Sequence, residues 1–125
     1  MKILALDFGS ARTGVAVSDP TGTIARPLTT IERVETDTGF GKLLDVIAAE
    51  APELILVGLP LTLRGEHGAQ ADETSAFVER LRAAVDAPVD LFDERFTSVL
   101  ADGDDARAAA HLLSSYLEWL GARSS

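Results

Sequence analysis

The first third of the chain has the apolar pattern of three consecutive strands. Residues 2–8 are mostly apolar, which is typical of a strand buried on both faces. Further strands are expected at 14–19 and 23–31, on either side of the turn sequence Asp19-Pro20-Thr21-Gly22. The pattern therefore predicts an antiparallel meander.

The rest of the chain alternates between helical and strand periods. Helices are predicted at 37–51, 69–85 and 104–120, and short buried strands at Leu54–Val57 and Val89–Phe92. The inward faces of the first two helices are expected to comprise Phe40, Leu43, Leu44, Ile47, Ala48 and Ala51, and then Thr74, Phe77, Val78, Leu81, Ala84 and Val85. This order predicts an α/β fold in which a mixed five-stranded sheet carries helices on both faces.

Size and composition favour one compact domain over residues 1–125, since 46% of the residues are hydrophobic. No apolar stretch reaches the length of a membrane span, so no membrane contact is expected. The N-terminus does not resemble a signal peptide, and a cytoplasmic location follows as the default. The absence of cysteine excludes a disulfide framework and a zinc–thiolate site.

The net charge of −9 argues against a protein that holds nucleic acid by a broad basic surface. It leaves room for an enzyme in which metal ions offset a local group of carboxylates. Asp7 is the first candidate, because it directly follows the apolar run from Ile3 to Leu6. An unpaired buried charge costs several kcal/mol, so a positive partner is expected beside it.

Other carboxylates could join Asp7. Asp93 and Glu94 follow the fifth predicted strand, and Asp105 heads the apolar stripe of the last helix, ahead of Ala109. If the first, fourth and fifth strands are parallel, their carboxyl ends share one edge, where α/β sheets place their ligands. Such a cleft suits Mg²⁺ or Mn²⁺, and paired ions of this kind can cleave a phosphodiester.

Each later carboxylate also has a purely structural interpretation. An acid at a helix start, such as Asp105, commonly serves as a cap and interacts with the helix dipole. The run Asp93-Glu94-Arg95 is also compatible with a solvated turn that contains a local ion pair. The pattern alone does not decide which of Asp93 and Glu94 points inward.

Four ordered motifs, spread over nearly the whole chain, resemble those of one known family. They are Asp7-Phe8-Gly9 with Arg12-Thr13-Gly14 and Val15-Ala16-Val17-Ser18-Asp19; Val57-Gly58-Leu59-Pro60 with Gly65 and Gln70; Asp93-Glu94-Arg95-Phe96-Thr97-Ser98; and Asp105 with Ala108-Ala109, Leu113, Tyr116, Leu117 and Glu118. The chain thus resembles the YqgF family, which comprises pre-16S rRNA nucleases also called Holliday-junction-resolvase-like proteins.

The resemblance implies an RNase H-like fold with sheet order 3-2-1-4-5 and an antiparallel second strand. It also implies a metal-dependent nuclease that acts on the 5′ end of pre-16S rRNA. The matching acidic site consists of Asp7, the Asp93-Glu94 pair and Asp105, with Asp7, Glu94 and Asp105 as the expected metal ligands. Arg12, Arg64 and Arg95 stand next to this cleft, where they could bind phosphate oxygens or pair with the neighbouring acids.

The sequence departs from the family in one segment. Between Ser98 and Asp105 the family usually carries a longer basic segment, whereas this chain has only residues 99–104, which are acidic. Broader resolvase relatives also place an acid after the fourth strand, where this chain has Gly58-Leu59-Pro60, as the family itself does. The missing basic segment would have supplied phosphate contacts, so its absence argues against strong nucleic-acid affinity. The rearranged acidic set weakens the transfer of resolvase activity.

Alternative functions remain open at this point. The chain could be a catalytically weak RNase H-like binding module, with ribosomal or transcription proteins as partners, or a Holliday-junction-type DNA resolvase. The strand–Asp–x–Gly–turn pattern also resembles phosphotransfer enzymes, but those need two such domains. Expected partners are pre-16S rRNA or another structured nucleic acid, and the expected oligomeric state is a monomer or a weak dimer.

Overall fold

The computed structural model describes residues 1–9, 11–59, 69–93 and 105–124. Its elements are β1 (Ile3–Asp7), β2 (Arg12–Ser18), β3 (Ala25–Glu32), α1 (Asp37–Glu50), β4 (Leu54–Leu59), α2 (Ala69–Ala84), β5 (Val89–Asp93) and α3 (Asp105–Ser124). All the predicted strands and helices are present, and the differences lie at their ends. β2 begins earlier than predicted because Arg12 already pairs with Glu32 of β3.

The strands form one sheet in the order β3-β2-β1-β4-β5. β2 is antiparallel to β1 and β3, whereas β4 is parallel to β1 and β5 is parallel to β4. The predicted order and the antiparallel second strand are confirmed. The C-terminal ends of β1, β3, β4 and β5 consequently share one edge, which we call the Asp7 edge after the last residue of β1.

The two faces of the sheet carry separate hydrophobic cores. α1 and α2 cover one face, with Leu43, Phe77 and Leu81 packed against Leu4, Leu6, Val15, Ile55 and Val57. α3 covers the other face, with Ala109, Leu112, Leu113 and Tyr116 packed against Ile3, Ala5, Ala16, Leu56 and Phe92. This arrangement confirms the prediction of helices on both faces.

The helix faces predicted from periodicity are partly wrong at their alanines. Ala48 and Ala84 are exposed, and Ala51 is not helical but ends α1 as its C-cap, with φ 48°. Alanine satisfies an apolar period without requiring burial, because its side chain has little surface to remove from water. The larger residues Phe40, Leu43 and Ile47 are buried as expected.

Among the residues that the structure describes, no helix combines the length and the apolar character needed to cross a lipid bilayer.

Candidate active site

Asp7 lies at the end of the central strand of the sheet. It pairs with Gly14 of β2. On the other side Leu6 pairs with Val57 of β4, which makes Gly58 the next β4 position alongside Asp7. Since glycine has no side chain, neither of these two neighbouring strand positions places a side chain beside the half-buried Asp7 carboxylate.

Strand alternation places Asp7 on the face of the sheet that α3 covers. Ile3 and Ala5, four and two positions before it, both belong to the core beneath α3. Small side chains line this contact, and Ala5, Ala16 and Ala109 are all fully buried. These alanines lie where α3 packs against the sheet, and α3 covers the strand that carries Asp7.

Phe8 anchors the chain just beyond Asp7 on the opposite face. Its ring stacks on Phe77 of α2 with a centroid distance of 4.7 Å, and Phe77 also contacts Phe40 of α1 edge-to-face. Phe8 and Phe77 line a cavity of about 450 Å³, next to Arg80. Burial of Phe8 fixes the backbone at the end of β1 and so restricts the position of the Asp7 carboxylate.

The backbone places two other predicted acidic positions near the ends of neighbouring elements. Asp93 is the last residue of β5 and pairs with Leu59 at the Asp7 edge, and Asp105 is the first residue of α3. The side chains of Asp93 and Asp105 lie outside the described part of the chain, as does the whole of Glu94. Whether the side chains meet as the sequence predicts therefore remains a proposal.

The last described side chains of β5 alternate between the two cores. Phe92 packs beneath α3, on the same face as Asp7, and Val89 belongs to the core on the opposite face.

Of the predicted phosphate-binding arginines, Arg12 is described, whereas Arg64 and Arg95 lie outside the described residues. Arg12 is exposed at the start of β2, two positions from Gly14 and hence on the same face as Asp7. The structure thus brings one cation and one carboxylate of the predicted site to the same edge and the same face.

The surroundings of Asp7 fit a bound cation. Its carboxylate forms no hydrogen bond or ion pair with any other described residue. Carboxylate oxygens are the donors that Mg²⁺ and Mn²⁺ prefer. Within the described ranges, no three histidines, cysteines or carboxylates gather closely enough to hold a metal, so further ligands would have to come from outside those ranges.

Asp19, just after β2, differs from Asp7 because its carboxylate accepts several hydrogen bonds from within the protein. Asp19 lies at the opposite edge of the sheet and accepts hydrogen bonds from the amides of Ile24 and Thr23, both at 2.8 Å, and from the Thr21 hydroxyl. These bonds, above all the one from Ile24, lower the pKa of Asp19 from 3.8 to about 2. They close the turn between β2 and β3, so this perturbed group is structural.

One charged residue at the Asp7 edge was not singled out from the sequence. Arg33 directly follows β3 and has a φ of 47°. The sequence carries no signal for this conformation, because left-handed backbone is usually announced by glycine or asparagine. Only the fold reveals that Arg33 shares an edge with Asp7.

Comparison with known proteins identifies the family. The family model RuvX, described as Holliday junction resolvase, matches residues 1–119. The chain belongs to the RuvX family. The resemblance to the YqgF family is thereby confirmed, and the chemistry of this RuvX family is that of nucleases.

Relatives agree with this assignment, and a solved structure shares the fold. A Chloroflexus aggregans protein named "Putative pre-16S rRNA nuclease" is 46% identical over 100 residues, which cover 80% of this chain and 70% of that protein. A Moorella thermoacetica protein of the same name is 38% identical and covers 97% of each chain. The structure titled "T. thermophilus RuvC in complex with Holliday junction substrate" has a TM-score of 0.59 at 16% identity, covering 97% of this RuvX chain and 96% of that one.

The alignment with the Moorella relative extends over 136 positions, more than the 125 residues of this RuvX chain, so the relative carries residues that have no counterpart here.

Proposed function

We propose that this chain hydrolyses phosphodiester bonds at the Asp7 edge and processes the 5′ end of pre-16S rRNA. The observation that carries the proposal is the half-buried Asp7 carboxylate, which ends the central strand and has no partner among the described residues. Membership of RuvX and the printed names of the relatives support the reaction and the substrate. Because rRNA matures where it is transcribed, the proposal places the protein in the cytoplasm.

The activity needs a divalent ion, Mg²⁺ or Mn²⁺, held by Asp7, Glu94 and Asp105. When bound, such ions supply an activated water and stabilise the leaving oxygen of a phosphodiester. The protein contributes the rigid placement of Asp7, which follows from pairing on both sides of β1 and from the anchor at Phe8. A rigidly held metal ligand matters because small displacements of reacting groups lower the reaction rate by large factors.

Glu94 is the member of the Asp93-Glu94 pair that we assign to the site. The described part of β5 supports this choice, since Phe92 packs on the face of α3 with Asp7. Position 94 comes two residues later, and continued alternation is expected to bring it to the same face. Asp93 is then expected to support the edge without binding the ion.

Arginines at the edge bind the substrate phosphates in this proposal. Arg12 supplies a planar pair of donors on the face of Asp7, and Arg64 and Arg95 are assigned the same role from their sequence positions. These contacts are local, which reconciles nucleic-acid binding with a net charge of −9.

The direct test uses a 5′-labelled RNA that contains the precursor boundary of 16S rRNA. The wild-type protein is expected to cleave it in Mn²⁺ or Mg²⁺ and not in excess chelator. Asp7→Asn removes the central ligand charge, so we expect a loss of roughly 100-fold or more in rate. Asp45→Asn, which changes an exposed aspartate of α1, is the matched control and should retain full activity.

The same assay separates the alternatives. A four-way DNA junction cleaved in preference to the RNA would favour a resolvase, the activity in the description of the RuvX model. RNA binding without any cleavage that depends on Asp7 would leave a binding module and would overturn the enzymatic proposal. Sedimentation of the protein with and without RNA tests the expected monomer or weak dimer.

A further inference from the structure

The backbone of Arg33 is held in a conformation that arginine rarely adopts. Its φ is 47°, in the left-handed region. Its amide donates to the carbonyl of Ala11 at 3.0 Å, and its own carbonyl accepts from the amide and hydroxyl of Thr36 at 3.0 and 2.7 Å. A Cβ at Gly39 would overlap that carbonyl, so the glycine provides the necessary room.

This turn does not require an arginine. Glycine or asparagine would adopt the same backbone with less strain, and every hydrogen bond of the turn uses only main-chain atoms of Arg33. Strained residues persist where the rest of the structure holds them in place, and they concentrate at functional sites. The side chain of Arg33 therefore needs an explanation of its own.

The side chain of Arg33 is available for a ligand. It is exposed, and its guanidinium forms no ion pair with the described residues, although Glu35 lies two positions away and Glu32 directly precedes it. In the strand register Glu32 of β3 lies opposite Arg12 of β2, so Arg12 and Arg33 stand at adjacent strand ends. Asp7 is two strand spacings from β3, or about 10 Å.

We propose that Arg33 binds a backbone phosphate of the substrate, so that the RNA strand leaves Asp7 across the ends of β2 and β3. This inference rests on the proposed function of the Asp7 edge and adds the direction in which the substrate runs. Charge supports this direction, because Arg12 and Arg33 lie at the adjacent ends of β2 and β3, where two cations attract a polyanion.

Arg33→Asn tests the assignment, because asparagine tolerates left-handed backbone but carries no charge. Arg26→Gln is the control, since Arg26 is an exposed arginine at the other end of β3, about 20 Å away. Binding of a fluorescein-labelled RNA with the 16S precursor boundary is measured by anisotropy at several salt concentrations. All variants carry Asp7→Asn, so that the RNA is not cut during the titration.

We expect Arg33→Asn to weaken RNA binding by about 3- to 10-fold. The slope of the logarithm of the binding constant against the logarithm of the salt concentration should fall in magnitude by about 0.7, as expected for the loss of one phosphate contact to a single strand. Its thermal midpoint should equal or exceed that of the parent, because the strain is relieved. The control should change neither affinity nor slope. Equal affinities for Arg33→Asn, the control and the parent, or no RNA binding by any of them, would overturn the inference.

Cleavage by proteins with Asp7 intact is scored separately. If no cleavage occurs but Arg33→Asn still binds RNA more weakly than the control, the nuclease proposal fails and the phosphate contact stands. If cleavage occurs and Arg33→Asn binds RNA as the parent does, the phosphate contact fails and the nuclease proposal stands.

Discussion

Two aspartates in this protein follow apolar strands in similar sequence contexts but have opposite surroundings. Asp19 accepts three hydrogen bonds from its own turn, whereas Asp7 has no such donor among the described residues. The difference comes from the chain that follows each residue: after Asp19 a tight turn returns amides to the carboxylate, and after Asp7 the backbone is drawn to the opposite face by Phe8. A saturated carboxylate stabilises the fold, and an unsaturated one is available for a ligand.

The role of Asp19 predicts a pH-dependent stability. Because its pKa is about 2 in the folded protein and 3.8 as its ordinary value, the ionised form stabilises the fold above about pH 4 and this contribution is lost as the pH falls toward 2. Asp19→Ala should therefore lower the thermal midpoint at pH 7, and the difference from wild type should shrink between about pH 4 and 2. A deficit that is constant with pH would assign the effect to turn geometry alone.

A second residue-scale prediction separates Asp93 from Glu94. If alternation continues from Phe92, which shares the face of Asp7, to position 94, Glu94→Gln should reduce metal-dependent cleavage by roughly 100-fold and Asp93→Asn by less than about 10-fold. Initial rates at saturating Mn²⁺ measure both. Equal losses, or a larger loss for Asp93→Asn, would show that the strand does not keep its alternation to the site.

At the scale of elements, the beginning of α1 shows how one glycine ties a helix to the sheet. Thr36 caps the helix by accepting from the Gly39 amide at 3.1 Å, and its hydroxyl donates to the Arg33 carbonyl. Gly39 lies against that carbonyl. Gly41 is half-buried in the same helix, and a methyl group added to it would meet no described group within 4 Å. Two glycines in one turn of helix thus have different reasons to be there.

The pair predicts opposite changes in stability. Gly41→Ala should raise the free energy of unfolding by about 0.5–1 kcal/mol, because alanine loses less backbone entropy in a helix. Gly39→Ala should lower it by about 1–3 kcal/mol, since the new methyl would overlap the Arg33 carbonyl and force the backbone to move. Urea denaturation followed by circular dichroism gives both values, and a stabilising Gly39→Ala would contradict the geometry of this turn.

At the scale of the whole molecule, one sheet serves two cores. β1 and β4 contribute alternate residues to each core, with Leu4, Leu6 and Ile55 on one face and Ile3, Ala5 and Leu56 on the other. Loss of either helical layer would expose residues of the same strands to water. We therefore expect residues 1–125 to behave as a single domain.

Coincident unfolding curves test that expectation. Trp119, the single tryptophan, lies on α3 and contacts Phe92 with a centroid distance of 5.9 Å, so its fluorescence reports on the α3 layer. Far-ultraviolet circular dichroism reports on all the helices. The two midpoints in urea should agree. Leu43→Ala in the opposite core should lower the free energy of unfolding by about 2–5 kcal/mol and shift both midpoints equally. An earlier transition in fluorescence alone would show that α3 unfolds separately.

Local patterns were sufficient to predict the elements and to single out Asp7 as a candidate site residue. The strand period, the turn at Asp19 and the apolar helix stripes predicted every strand and helix, because burial of one face is decided by neighbours three or four residues away in a helix and two away in a strand. Asp7 was identifiable for the same reason, as a charge at the end of an apolar strand. Strand order came from the motifs that this chain shares with its family.

Tertiary structure decided what depends on residues distant in sequence. Packing of the turn before α1 against the end of β3 gave Arg33 its left-handed backbone, and pairing of β2 with β3 placed it beside Arg12. Alanine burial was also decided at this level, since Ala109 is buried and Ala48 exposed in equally apolar stripes. A side chain's face follows from local alternation, but its neighbours across the sheet follow only from which strands pair and in what register.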